Sequence, residues 1–181
     1  HGEVIAESLS LGTETYIGMH FPAADIPDAA RAIFVRNIHT HIVDVDSTPV
    51  PLVPNLCPNK TTHVDMTLCC LRSPARGHIA YLQNMGVHSS LVVALLVGGK
   101  LWGLLVCHGV HEPLYIPFET RVNVTMVTEV LGLYIKMRQD TEATAYRAEA
   151  RELTNRMLNT LQECDSFPQA FVQTAQTSAE G

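Results

Sequence analysis

Two histidines, an arginine and an aspartate stand where apolar sequence gives way to loop, the kind of place from which a pocket wall is built. His78 lies in "ARGHIAYLQN", which has helical spacing, and His108 closes "LWGLLVCH", which reads as a strand. An imidazole can donate, accept or carry charge near neutral pH. On pattern alone each histidine also fits a satisfied, partly buried side chain. Arg72, between Leu71 and Ser73-Pro74, offers a planar fork suited to a ligand carboxylate, and fits a surface position equally. Asp25 opens the rigid triplet Asp25-Ile26-Pro27 just before a helical stretch. Cys107 beside His108 resembles a nucleophile next to its base, but neighbours on a strand point to opposite faces and do not pair easily. His39 and His41 share a face only if their strand starts early, and two ligands do not make a metal site. His111 and Glu112 read as turn residues.

These residues need elements to hold them. Gly2 to Ser8 alternates weakly as a strand, and Leu11 to Phe21 is loop or short strand. Pro27 suits the first turn of a helix, where its missing N–H is not needed. Asp25, two residues earlier, can accept from free amides there. The helix is predicted over 28–38, with Ala30, Ile33, Phe34 and Ile38 on one face. His41 to Val45 reads as a strand. Ser47 to Asn59 holds four prolines, which excludes helix. Arg76 to Met85 is a helix ended by Gly86. Ser90 to Val97 and Leu101 to His108 flank Gly98-Gly99-Lys100 as an antiparallel hairpin, apolar on both faces and so expected to be a central, covered part of a sheet. From Pro117 only Gly132 interrupts a helical run up to Pro168, with Val122, Met126, Val130, Leu133, Tyr134 and Met137 on one face. The pattern thins past Arg138, through Leu153 and Met157. A helix of about 40 residues runs roughly 60 Å, so its second half is expected to leave the globule and meet another helix or domain. The fold class is α+β: an antiparallel sheet flanked by helices, then a long C-terminal linker helix.

Composition narrows the function. Of 181 residues, 46% are hydrophobic and 17% charged, which argues for a packed core. A net charge of −6 offers no basic patch for nucleic acid. No apolar run reaches the ~20 residues of a membrane span. Five cysteines, one adjacent pair among them and no Cys-x-x-Cys, fit a reducing cytoplasmic setting better than a disulfide or zinc scaffold. The start at His1-Gly2, without Met or a signal-peptide pattern, leads to the expectation of a piece cut from something longer.

Five ordered stretches carry a resemblance: Gly2 to Glu7 (GEVIAE), Phe21 to Arg31 (FPAADIPDAAR), Pro49 to Leu52 (PVPL), Leu71 to Val87 (LRSPARGHIAYLQNMGV) and Gly98 to His108 (GGKLWGLLVCH). Together they resemble the chromophore-binding GAF domain of phytochromes. The resemblance implies three segments: a bilin-binding GAF domain over 1–136, truncated at its N-terminus; a linker helix over 137–162; and the beginning of a PHY domain, or a tail, over 163–181. It implies a red/far-red photoreceptor that binds a linear tetrapyrrole (biliverdin, or phycocyanobilin or phytochromobilin) and signals by isomerisation of its D ring. The chain carries no catalytic machinery; a full-length relative can end in a histidine kinase. Implied partners are the bilin, PAS and PHY domains of the same chain, and a second copy through the long helix.

The resemblance also implies roles. The Asp25 carbonyl, on the Asp25-Ile26-Pro27 turn, accepts from pyrrole N–H groups; the Asp25 side chain meets a PHY arginine. His78 sits beside the pyrrole nitrogens and is expected to be neutral, since the bilin is protonated. His108 bonds the D-ring carbonyl, and Arg72 pairs with a propionate. Tyr81 and Phe21 surround the D ring. Met85, Val87 and Ser90 are wall positions, and Trp102 is packing. Departures stand beside these. Gly77 occupies the place of the linking cysteine of plant and cyanobacterial members, so the covalent thiol is expected outside this chain, with Cys69 and Cys70 as alternatives. Phe34, Thr40 and Val92 replace a common tyrosine, arginine and serine. That weakens the second propionate clamp, for which Arg36, His39 or His41 could compensate. A rival reading is a GAF domain that binds another small molecule without photochemistry, or a dimerisation module.

Overall fold

A computed structural model describes all residues except 11, 58–60, 71, 164, 165, 167, 170 and 173–181. The packing divides the chain into two units, His1–Leu133 and Tyr134–Gly181. The first opens with β1 (Gly2–Glu3) paired antiparallel to β2 (His20–Phe21). A 3₁₀ turn (Ala23–Asp25) leads into α1 (Asp28–Arg36). A second sheet follows, of β3 (His39–Ile42), β4 (Ser89–Val97) and β5 (Lys100–Gly109), antiparallel in the order β3-β4-β5. Between β3 and β4 lies α2 (Arg76–Asn84), and after β5 comes α3 (Phe118–Glu163). The α+β class and the long final helix are as the sequence predicts.

Local chemistry sets the boundaries. β1 is shorter than expected because Glu7 turns the chain into a loop: its carboxylate accepts from Thr15 Oγ1 at 2.6 Å and from the Tyr16 amide at 2.9 Å. α1 stops before Ile38 because the Ile38 carbonyl is recruited by the sheet, accepting from the Ala94 amide at 2.7 Å. β3 starts at His39 and ends before Val45, where Asp44 folds a turn by accepting the Asp46 amide at 2.9 Å. α2 ends on Gly86, whose φ of +68° suits glycine. The hairpin turns on Gly98 and Gly99, with φ of +58° and +75°, the signs a two-residue type I′ turn requires.

β4 is the buried centre of the sheet, but β5 is its outer strand among the described residues, a correction to the covered hairpin expected from sequence. The register slips between Leu95 and Leu96, leaving Trp102 without a partner across the strand. Trp102 is 45% exposed rather than packed, as a bulged residue on an outer strand has neighbours on one side only.

α3 also packs differently from its stripe. Thr128 and Gly132 are buried, whereas Met126 (58%) and Val130 (67%) are exposed. A Cβ at Gly132 would lie 2.3 Å from the Leu96 carbonyl oxygen and 3.5 Å from Leu95 Cδ1. The helix therefore approaches the sheet backbone too closely for larger residues. In the second unit α3 continues with ion pairs along its surface, Lys136 with Asp140 and Arg138 with Glu142. Leu153 is 37% exposed there. The segment expected over 163–181 lies largely outside the described residues, as do Leu71 and Cys164.

Candidate functional site

Strand alternation sorts the sheet into two faces. Ile42, Ser90 and His108 are successive Cα partners across β3, β4 and β5, so they share one face; Thr40, Val92 and Val106 form the next row on it. Ile42 belongs to a buried cluster with Val45, Val87 and Leu82, the last from α2, against which Ile79 and Met85 pack. The face carrying Ser90 and His108 is therefore the face that α2 covers. Leu91, Val93 and Leu95 point the other way, toward α3.

On α2, His78 and Tyr81 are three residues apart and share a side of the helix. Their rings stack with centroids 6.4 Å apart and planes 16° apart. His78 is exposed on α2, and the partial burial of its ring lowers its proton affinity, which favours the neutral imidazole. Burial, and then the proximity of His78, push His108 down as well. The Tyr81 phenol is pushed up by burial, then by the Asp25 carboxylate, then by Tyr16, and stays a proton donor. Tyr81 is thus within electrostatic reach of Asp25 and Tyr16, and His108 within reach of His78. Ser90, 2% exposed, lies in the same row as His108, and its hydroxyl has no hydrogen-bond partner among the described residues.

The turn itself is held by a residue for which the sequence suggests no role. Arg31, on the first turns of α1, donates from Nε to the Ile26 carbonyl at 2.7 Å and from Nη2 to the Ala23 carbonyl at 3.3 Å. Pro27 precedes the helix with φ −57° and ψ 155°, which turns the Asp25-Ile26 backbone away from the helix axis. Between the two clamped carbonyls, that of Asp25 is paired with no donor among the described residues. Tyr16, from the loop before β2, was also missed; no local pattern marks it. Arg31 has a readable signal, because a long side chain four residues after Pro27 can reach back over the turn.

Other candidate residues stand apart. Arg72 is half-buried ahead of α2 and makes no side-chain hydrogen bond or ion pair with a described residue. Phe21 is half-buried on β2. Ile26 is half-buried and Pro27 exposed. Val87 is core, 4% exposed, and Met85 packs against that core. Gly77 is exposed on α2, and a Cβ there would meet nothing within 4 Å.

Residues 7–135 match the GAF domain family. The chain belongs to the GAF domain family. Over most of its length this GAF domain has phytochrome and bacteriophytochrome homologues. It is 42% identical over 153 residues to a phytochrome-like protein of Synechocystis sp., covering 84% of this chain and 20% of that protein. The crystal structure of a bacteriophytochrome from R. palustris superposes with a TM-score of 0.85 at 28% identity, over 96% of this chain and 35% of that one. A structure of the chromophore-binding domain of an unusual bacteriophytochrome from R. palustris gives 0.73 at 31% identity, over 77% and 46%. The GAF domain thus spans about a fifth of the Synechocystis relative. Among the described residues no helix is long and apolar enough to cross a membrane.

Proposed function

We propose that this GAF domain binds a linear tetrapyrrole, a bilin of the biliverdin or phycocyanobilin class, and is the sensory part of a red/far-red photoreceptor. The observation that carries the reading is the Ser90 hydroxyl, buried without a partner among the described residues in the row of His108. A buried hydroxyl in that state calls for a bound group or water. The unpaired Asp25 carbonyl and the neutral His78 supply an acceptor and an imidazole for pyrrole N–H groups, and His108 a donor for a ring carbonyl. These donors and acceptors fit a bilin. When bound, the bilin supplies the photochemistry, a light-driven isomerisation of its D ring.

The residues of the chain bind and orient. Arg31 fixes the turn before any ligand arrives, which reduces what binding must order. Arg72, free of ion pairs among the described residues, is assigned to a propionate. Gly77 leaves covalent attachment to a cysteine outside this chain, or to Cys69 or Cys70. PAS and PHY domains of a longer chain are proposed partners. So is a second copy, docked on the exposed stripe of Met126, Val130 and Leu133 on α3. Free Cys57, Cys69, Cys70 and Cys107 suit the cytoplasm.

One observation favours a second reading, a GAF domain for a different small molecule. Thr40 and Val92 face each other in the row beside Ser90 and bring no charge to the site. Titrating the folded chain with biliverdin and with phycocyanobilin separates the two. A saturable, narrowed and red-shifted band supports the bilin; the broad spectrum of free pigment with both compounds favours the second reading.

A further inference from the structure

The early start of β3 puts His39 and His41 on one face of the sheet, opposite Thr40 and Ile42. Their Cα partners on β4 are Val93 and Leu91, whose side is the one covered by α3. Arg121, on the first turn of α3, acts on both rings: burial first, and its positive charge as well, lowers the proton affinity of His39 and of His41. Its guanidinium carbon lies 5.8 Å from the Phe118 ring centre. The His41 Nε2 is 3.2 Å from the Leu114 carbonyl oxygen, a bond that also favours the protonated ring, and its ring centre is 6.2 Å from that of Tyr115. Three basic groups from two elements therefore lie on one side of the sheet, within electrostatic reach of one another.

Among the described residues neither histidine nor Arg121 is in an ion pair; Glu119, two residues earlier on the helix, forms none with Arg121. The Arg121 Nε is buried and has no hydrogen-bond partner among the described residues. A guanidinium N–H removed from water without an acceptor loses its hydration for nothing, and such groups in folded proteins mark an ion, a water or a functional site. Two imidazoles near it add further N–H groups on the same side of the sheet.

We propose that His39, His41 and Arg121 form a binding site for a small oxyanion of the carboxylate or phosphate type, on the face of the sheet away from the candidate bilin site. Such an anion accepts the orphaned Nε–H and an adjacent Nη–H of the planar fork, and is held from the other side by the two rings. It favours the charged form of both imidazoles, reversing the effect of Arg121. His39 and His41, expected to compensate in the second propionate clamp, lie on the face opposite Ser90 and His108, so neither proposal depends on the other.

The test is an NMR pH titration of the histidine ring protons in the whole chain. It is run in chloride, then with inorganic phosphate or acetate replacing chloride at equal ionic strength. The site predicts a saturable rise in the pKa of His39 and His41 and no change at His78 or His108. Arg121→Gln removes the rise and Arg121→Lys keeps part of it. Response to phosphate alone assigns a phosphate, response to acetate alone a carboxylate, and response to both a site selective for charge. If Arg121→Gln does not fold, His41→Gln with His39 as reporter serves instead, with several-fold weaker anion binding expected. No saturable rise with either anion, or an equal rise at all four histidines or in Arg121→Gln, overturns the proposal.

Discussion

Arg31 Nε donates to the Ile26 carbonyl at 2.7 Å and so ties the first turns of α1 back onto the turn that precedes it. With the second bond to Ala23, the arginine brackets Asp25 on both sides. A rigid turn whose middle carbonyl is unpaired is a fixed acceptor, and its direction depends on a cation that touches no ligand. Replacing Arg31 by Gln is expected to lower stability by about 1 kcal/mol, the scale of a charge-assisted bond at a half-exposed site. The bilin band of this variant is expected to broaden and weaken, with Arg31→Lys intermediate. Absorbance of the assembled variants beside urea unfolding checks this; an unchanged band in Arg31→Gln means the turn holds its shape without the clamp.

Four histidines tie stability to pH in one direction. His39, His41, His78 and His108 all have proton affinities lowered by burial in the folded state. The unfolded chain, with ordinary imidazoles of pKa about 6.5, then binds more protons than the folded chain as acid is added. Their contribution is complete above about pH 6.5 and is lost as pH falls through the lower folded values. The urea midpoint is expected to be lower at about pH 5.5 than at about pH 7.5. Glu7 and Asp65, whose carboxyls are held below their usual range by hydrogen bonds, act only at lower pH. A midpoint that is flat or rises toward pH 5.5 contradicts the burial of these rings.

The two faces of α3 carry opposite expectations. Gly132→Ala drives a methyl into the Leu96 carbonyl and is expected to cost about 1–3 kcal/mol. Met126→Asp with Val130→Asp alters only exposed positions and is expected to leave stability within about 0.5 kcal/mol while shifting any dimer toward monomer. Thermal unfolding and sedimentation velocity read the two effects separately. Loss of folding in the double variant would assign that stripe to the core instead.

Much of this architecture can be read from the sequence. Gly98-Gly99 and Gly86 mark the hairpin and the end of α2 because positive φ restricts those positions to very few residue types. Pro27 marks the start of α1 for a similar reason. The periodicity of α3 gives a helix and its apolar stripe, but not which way the stripe points. That is decided by Thr128 and Gly132, small enough to meet the backbone of β4. The exposure of Trp102 depends on a bulge and on β5 having one neighbour, and neither is written in local pattern. Within the site, alternation along β4 puts Ser90 on the face of His108, and the spacing of Arg31 from Pro27 lets it reach back over its turn, but the approach of Tyr16 arises only in three dimensions.

Gly77 points to a gain of chemistry. It lies one residue before His78, is exposed, and has open space around its missing side chain. Gly77→Cys is expected to fold at least as well, since glycine within a helix costs about 1 kcal/mol relative to alanine. It is also expected to bind phycocyanobilin covalently, its thiol adding across the ethylidene group with the proton going to carbon. Pigment that stays with the chain in acid urea shows the adduct; pigment released from the variant as from the parent argues against a bilin beside His78.

The light-minus-dark difference spectrum of the chain assembled with biliverdin or phycocyanobilin tests the central claim most directly. If Asp25, His78, Ser90 and His108 hold one bilin, red light bleaches the bound band, a shifted band grows in its place, and far-red light or darkness restores the first. A flat difference spectrum with both pigments, from protein that is folded by circular dichroism, would contradict the account.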